Sequence, residues 1–360
     1  MASSAATGAT WHVRKDGLGH ATVIQDAVDM AAPGDTVLIH PGRYLEYEPY
    51  DYGALTVDTY VIVTIPDLTI RGTDRDSVII GPDEYQWESG IEPVGIANIS
   101  TASNTRIESL TIENVVQGIV LNGSGVASRC TMRGNYLGFA CWSDQPSRLE
   151  DSSIIDPLDN ALWCRSHSFE LVASRIQGRR ATVVITQGDG VVIEDSEFSD
   201  LSSLKFQTFA EGVVRRCRFI EGARIVSFDS QIRIEHSTIL PGPGFAVWIR
   251  GGAVEIRDNV LHNGADGTVV LFGSSDTVAR NNHILPGAGP SVHLQFYGAN
   301  GYTVDFRNNW WGTTDSTQVA EWILDANDEP ERGEVVDFWP ILDAPVPVEP
   351  VSIGSLKSKF

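Results

Sequence analysis

Apolar and polar residues alternate in short runs along most of this chain, and the runs return at a nearly fixed interval. Residues 232–239 (IRIEHSTI) and 254–261 (VEIRDNVL) place apolar side chains at every second position, are rich in β-branched residues and are broken by Gly and Asn. A period of two belongs to a half-buried strand, not to a helix. The longer period emerges when Cys130, Ser152, Ser174, Ser196, Cys217, Ser237, Asn259, Asn282 and Asn309 are aligned, at spacings of 22, 22, 22, 21, 20, 22, 23 and 27 residues. Three residues before each mark stands a small or apolar residue, from Ala127 to Phe306, and two after it stands another, from Met132 to Trp311. A repeat of this length holding three short strands predicts a solenoid whose coils pair in parallel at about 4.8 Å per rung. The small polar marks then stack as a ladder inside one turn. The expected fold is all-β: a right-handed single-stranded parallel β-helix.

The ends of such a stack need covers, because an open coil exposes strand edges and an apolar cross-section. Thr22 and Gln25 frame a capping box that opens a helix running to about Ala32, with Val23, Ile24, Ala27 and Val28 on the face that plugs the first rung. Gly34 and Asp35 close that helix, and residues 36–39 start a strand ahead of the Pro41-Gly42 turn. Near the other end, residues 319–325 read as a short helix ahead of a Pro-rich tail. The expected organisation is a disordered lead over 1–10, an N-terminal cap of helix plus first strand over 11–46, a β-helix of about ten rungs over 47–315, and a C-terminal cap with Pro-rich tail over 316–360.

Composition narrows the partners. The 360 residues carry 47 acidic against 26 basic side chains, a net charge of −21, which repels nucleic acid in the absence of a local basic patch. No run of apolar residues reaches the length of a membrane span. No charged-then-apolar leader precedes Trp11, which leaves an extracellular or virion-associated location open. Of the four cysteines, Cys130 and Cys217 sit on the ladder, while Cys141 and Cys164 fall at inward positions of neighbouring rungs, where they serve as small core fillers or pair as a disulfide.

The stretch KDGLGHATVIQDAVDMAAPGDTVLIHPGRYLE (residues 15–46) resembles the opening segment of the pectin lyase-like β-helix superfamily, and RNNWWGTTD (residues 307–315) resembles a closing rung of its repeat proteins. The resemblance spans nearly the whole chain as architecture. It implies the fold, and it implies carbohydrate as the commonest ligand, but the superfamily holds lyases, hydrolases, esterases, epimerases, phage tailspikes and non-catalytic members. Neither the aspartate-rich strings of polygalacturonases nor the DPHE of mannuronan epimerases occurs here. Tailspike-like members trimerise along the helix axis, so the expected state is a monomer or an axial homotrimer.

Function therefore has to come from the outward side chains. In the strand opening each coil, Leu162 and Cys164, Val183 and Ile185, Leu204 and Phe206, Ile225 and Ser227, Val247 and Ile249, Val292 and Leu294 point inward by alternation. One outward column then reads Ala140, Trp163, Val184, Lys205, Val226, Trp248, Val270, His293. The next reads Trp142, Arg165, Thr186, Gln207, Phe228, Arg250, Phe272, Gln295, with Asp144, His167, Asp189, Glu211 and Asp229 on the following turn. Aromatic rings stack on sugars, while Arg and Gln offer planar donors to carboxylates and hydroxyls. The expected partner is a poly- or oligosaccharide held by Trp163, Arg165, Gln207, Phe228, Trp248, His293 and Gln295. The competing reading puts these aromatics beneath a long loop, for which the Tyr-rich stretch 44–60 and the segment 85–87 are the candidates.

Two chemistries fit that face. Asp189, Glu211 and Asp229 sit on successive rungs, whose separations bracket the carboxylate pairs of retaining and inverting glycosidases. β-Elimination from a uronide needs instead a carboxylate clamp, a base for the C5 proton and an acid for the leaving oxygen. The resemblance implies Lys205 as base, Arg250 or Arg165 as clamp, and His167 or His293 as acid. No metal centre is expected, since no compact acidic cluster lies on the face; Ca²⁺ held by acidic turns is the one cofactor left open. The non-catalytic alternative is a glycan-binding or virion tail module on the same fold.

Overall fold

The computed structural model describes residues 8–51, 56–85, 93–166, 168–179, 181–200, 202–240, 242, 244–262, 264–272, 276–295 and 303–347. These belong to two compact units, Met1–Glu170 and Leu171–Phe360. The chain is all-β, a right-handed parallel β-solenoid of about 12 turns among the described residues.

In the first unit, Gln117–Leu121, Gly125–Ser128 and Thr131–Arg133 make one coil, and Leu137–Cys141, Ser147–Glu150 and Ser153–Ile155 the next. They pair in parallel with Ile119 opposite Phe139, Ala127 opposite Leu149 and Met132 opposite Ile154. The second unit repeats the plan: Ile185 lies opposite Phe206, Ile193 opposite Val214 and Phe198 opposite Phe219. Parallel register stacks like on like, so the interior is filled by columns of buried side chains. Phe198 and Phe219 lie face to face with centroids 4.6 Å apart. All twelve residues assigned inward by alternation are buried.

The ladder of marks has a hydrogen-bond logic. The backbone N–H of Cys130 donates to Ser152 Oγ, that of Ser174 to Ser196 Oγ, and that of Cys217 to Ser237 Oγ. Ser237 then donates to Asn259 Oδ1, Asn259 to Asn282 Oδ1 and Asn282 to Asn309 Oδ1. Ser152, Ser196, Ser237, Asn259, Asn282 and Asn309 thus each satisfy the backbone donor of the mark one coil earlier. The turn itself is made by the residue before each mark, held in the left-handed region: Arg129, Asp151, Ala173, Asp195, Arg216, His236, Asp258, Asn281 and Asn308 have φ between 47° and 59°. Burial pushes the Cys130 and Cys217 thiols up to about 12, so both are inert fillers. Cys141 and Cys164 form a disulfide between adjacent rungs, with Cα atoms 4.8 Å apart.

The first helix, α1, is shorter than expected. It spans Ile24–Met30 and starts from Val23 with no side-chain cap. Gln25 is buried instead of capping: its amide accepts from Ile62 N–H and donates to Ile62 C=O, so it satisfies a strand edge under the helix. Satisfying a buried edge outweighs satisfying a solvent-exposed helix start. The buried face accordingly reads Ile24, Gln25, Ala27 and Val28, with Val23 only half-buried. The second helix, α2, covers Ser316–Glu321, three residues earlier than expected, because Asp315 caps it by accepting from Thr317 and Gln318. Within the stretch 44–60, the described residues include an antiparallel pair, Glu48–Asp51 with Thr56–Val63.

Candidate functional site

The outward columns stack as alternation requires. In the second unit Val184, Lys205, Val226, Trp248, Val270 and His293 occupy successive register positions. Beside them Thr186 is opposite Gln207, and Phe228, Arg250 and Phe272 follow one another. The middle of this face is an aromatic cluster: Trp248 lies 5.0 Å from Phe228 and 6.1 Å from Phe272, centroid to centroid. Two guanidiniums lie over its rings, Arg250 5.8 Å from the Phe272 centroid and Arg224 5.1 Å from that of Phe245. The Phe245 ring in turn packs 6.5 Å from Trp248.

Arg224 and Phe245 escape a reading by alternation. Phe245 has the parity of the inward Val247 and Ile249, but Gly244 at φ 111° turns the chain just before it and leaves the ring half-exposed. Arg224 lay within reach of the pattern, two positions ahead of Val226 on the same outward face.

What sets these cations apart is their lack of anionic partners. On the neighbouring strand faces arginines pair with carboxylates across rungs: Arg215 and Arg216 share Glu194, Arg233 and Arg257 share Glu255, and Arg280 and Arg307 share Asp305. Among the described residues, no carboxylate oxygen lies within 4.0 Å of the cationic nitrogens of Lys205, Arg224 or Arg250. In a chain of net charge −21, three unpaired cations on one aromatic face form a local exception to the overall field.

The other sequence candidates are distributed unevenly. In the first unit Trp163 and Trp142 pack against each other at 5.7 Å and stay 37% and 40% exposed, with Arg165 exposed beside them. The antiparallel pair Glu48–Asp51 and Thr56–Val63 does cover an outward face, as the loop reading required, but an aliphatic one: Tyr50 and Val57 pack on the buried cluster of Ile62, Val94, Ala97, Val120, Leu137 and Ala140. The two Trp rings therefore stay open to solvent. His167 lies outside the described residues, as do residues 86 and 87 of the second candidate cover.

In the second unit Lys205 stands two rungs, about 10 Å, before Trp248, and His293 two rungs after it. Lys205 and His293 are thus about 19 Å apart along the stack and do not serve one glycosidic bond. Burial, and then the Arg332 guanidinium, hold His293 below its ordinary value and so in the neutral form; its Nδ1 lies 3.4 Å from Gln295 Nε2. Asp189, Glu211 and Asp229 are exposed on successive rungs without facing one another: Glu211 is opposite Gln231, and Asp229 flanks Gly251. Among the described residues no three His, Cys, Asp or Glu side chains converge on a common point, and no helix is long and apolar enough to cross a membrane.

No protein-family model and no curated protein matches the chain. Among solved structures, a mannuronic acid specific polysaccharide family 6 lyase from human gut microbiota aligns at TM-score 0.52 and 11% identity, over 98% of this chain and 98% of that one. The surface adhesin PfbA of Streptococcus pneumoniae aligns at TM-score 0.47 and 10% identity, over 77% of this chain and 89% of that one. A PL6 family alginate lyase aligns at 0.46 and 11%, over 87% and 52%. At these identities the likeness is one of fold, the right-handed parallel β-helix.

Proposed function

We propose that this protein is a carbohydrate-active β-helix that binds an acidic polysaccharide along the outward face of residues 203–293 and cleaves it by β-elimination. The observation that carries the reading is the set of unpaired cations, Lys205, Arg224 and Arg250, around the Phe228–Trp248–Phe272 cluster. Sugar rings stack on the aromatics, and uronate carboxylates supply the anions that those cations lack. In the reaction Arg250 holds the carboxylate and so stabilises the charge that builds as Lys205 takes the C5 proton. The C5–H electron pair becomes the C4–C5 double bond, the C4–O bond breaks, and solvent protonates the leaving oxygen. Lys205 and Arg250 start two rungs apart, and in this reading Arg250 leaves its place over the Phe272 ring and both long side chains bend along the outward face to meet on one sugar.

That two-rung gap also favours a second reading, in which the face only binds. The two are separated by incubating the full chain with a panel of uronides, following the ultraviolet absorbance of the unsaturated product and, in parallel, glycan binding. Product formation that disappears in Lys205→Ala and Arg250→Ala, with melting temperatures within about two degrees of the parent, supports elimination, since Arg250 is exposed and Lys205 half-buried on the outward face, where substitutions cost about 0.5 kcal/mol. Binding without product leaves the second reading, and neither binding nor product sinks both.

A further inference from the structure

Next to the cationic face the second unit carries a groove of about 780 Å³, within the size of sugar and small-ligand sites. Its lining includes Phe209, Asp229, Gln231, Gly252, Asp276 and Thr303. Phe209 is 78% exposed, so it forms a side wall rather than part of the core. Gln231 and Asp276 lie in one column on either side of Ala253, about 10 Å apart. Beside Ala253 the lining has no side chain at Gly252. A Cβ on Gly252 would meet Ser230 O at 2.1 Å, and one on neighbouring Gly251 would meet Asp229 Oδ1 at 2.2 Å. Glycine at these two positions, both with positive φ, lets successive rungs pack closely and keeps the corner beside the groove small. Among the described lining residues none carries a positive charge, whereas Asp229, Asp276 and Asp305 carry negative ones. The Asp305 carboxylate is already held by Arg280 and Arg307.

From this groove we infer that the ligand is a heteropolysaccharide in which a uronate alternates with an uncharged hexose, the groove being the subsite for the uncharged sugar. The inference rests on the acidic-glycan reading and extends it. An apolar ring face stacks on Phe209, while the Asp229 and Asp276 carboxylates and the Gln231 amide take the hydroxyls in charge-assisted and neutral hydrogen bonds. A second uronate placed there would face the Asp229 and Asp276 carboxylates, which among the described residues have no cation to balance them. Asp229 directly follows Phe228, and Gly251 directly follows Arg250, so groove and cationic face adjoin along the chain. The two surfaces then read neighbouring sugars of opposite character.

The test is calorimetric titration of the full chain with three oligosaccharides of equal length: an alternating uronate–hexose, a homo-uronide and a neutral hexose oligomer. The alternating oligomer should bind about tenfold more tightly than the homo-uronide. Phe209→Ala should remove that preference while leaving homo-uronide affinity unchanged, and Asp276→Lys should reverse it. Equal affinity for the alternating oligomer and the homo-uronide, or an equal effect of Phe209→Ala on both, overturns the subsite and leaves the acidic-glycan reading standing. Binding of the neutral oligomer alone, lost in Phe209→Ala, upholds the subsite and overturns the acidic-glycan reading. Binding of none of the three overturns both.

Discussion

Ala173 sets the scale of single-residue effects in this chain, because it sits in the left-handed region at φ 48° directly before the ladder residue Ser174. Asp151, Asp195, Asp258, Asn281 and Asn308 fill equivalent turns and tolerate that conformation through their short polar side chains; Ala gains nothing from it. Left-handed backbone costs a non-Gly residue about 1–2 kcal/mol, against about 0.5–1 kcal/mol of extra chain entropy that glycine loses. Ala173→Gly should therefore stabilise the protein by roughly 0.5–1 kcal/mol, seen as a higher urea midpoint at unchanged slope. His293 gives a residue-scale prediction in pH. Its folded value lies below the ordinary 6.5 because burial disfavours the imidazolium. The unfolded chain then binds the proton more readily, so the contribution of His293 is complete above about pH 6.5 and is lost as pH falls toward the folded value. His293→Gln should flatten the fall in melting temperature between about pH 7 and pH 5, leaving the shares of His40 and His262, which burial also lowers. An unchanged profile would mean that the imidazole is hydrated in the folded state.

At the scale of the turn and the strand, the asparagine ladder is the element whose loss should cost most. Asn282 Oδ1 accepts from the Asn259 N–H, and its Nδ2 donates to the Ile256 carbonyl and to Asn309 Oδ1, all in buried surroundings. Asn282→Ala strands at least one buried donor and one buried acceptor, so a loss of about 3 kcal/mol in chemical unfolding is expected, while Asn282→Asp should recover part of it by keeping the acceptor. The ladder and the columns were legible in the sequence because two periods act together. Period two fixes which side chains face out, and the 20-to-23-residue repeat fixes which of them stack. The positions of Lys205, Trp248, Arg250 and Phe272 on the outward face therefore follow from the sequence alone. What stayed hidden lies where a local exception breaks one period. Phe245 escapes through the Gly244 turn, and Gln25 looks like a cap until Ile62 is brought beneath it by the fold. The corner holding Phe209 has three residues between Gln207 and Glu211, against two between Phe228 and Gln231. Its only trace in the sequence is a repeat that shortens from 21 to 20 residues.

For the whole molecule the decisive quantity is the contrast between a net charge of −21 and a face whose cations have no carboxylate partner among the described residues. An approaching polyanion meets the global field first and the local one last. Global repulsion acts over the Debye length, about 30 Å at 0.01 M salt and about 8 Å at 0.15 M, whereas Arg250 and Lys205 act at contact distance. Added salt should therefore remove more repulsion from the encounter than attraction from the bound state. The association rate for an acidic oligosaccharide is expected to rise severalfold between about 0.01 and 0.15 M salt, with the dissociation rate changing much less, while a neutral hexose oligomer shows no salt dependence in either. Stopped-flow mixing that monitors tryptophan fluorescence would report this directly, since Trp248 lies in the contact cluster. Arg250→Ala should raise the dissociation rate and leave the sign of the salt effect on association intact, because the repulsive field belongs to the whole chain. An association rate that instead falls steeply with salt would place the dominant field in a cationic patch, and the acidic glycan would then be steered by a surface other than the one around Trp248.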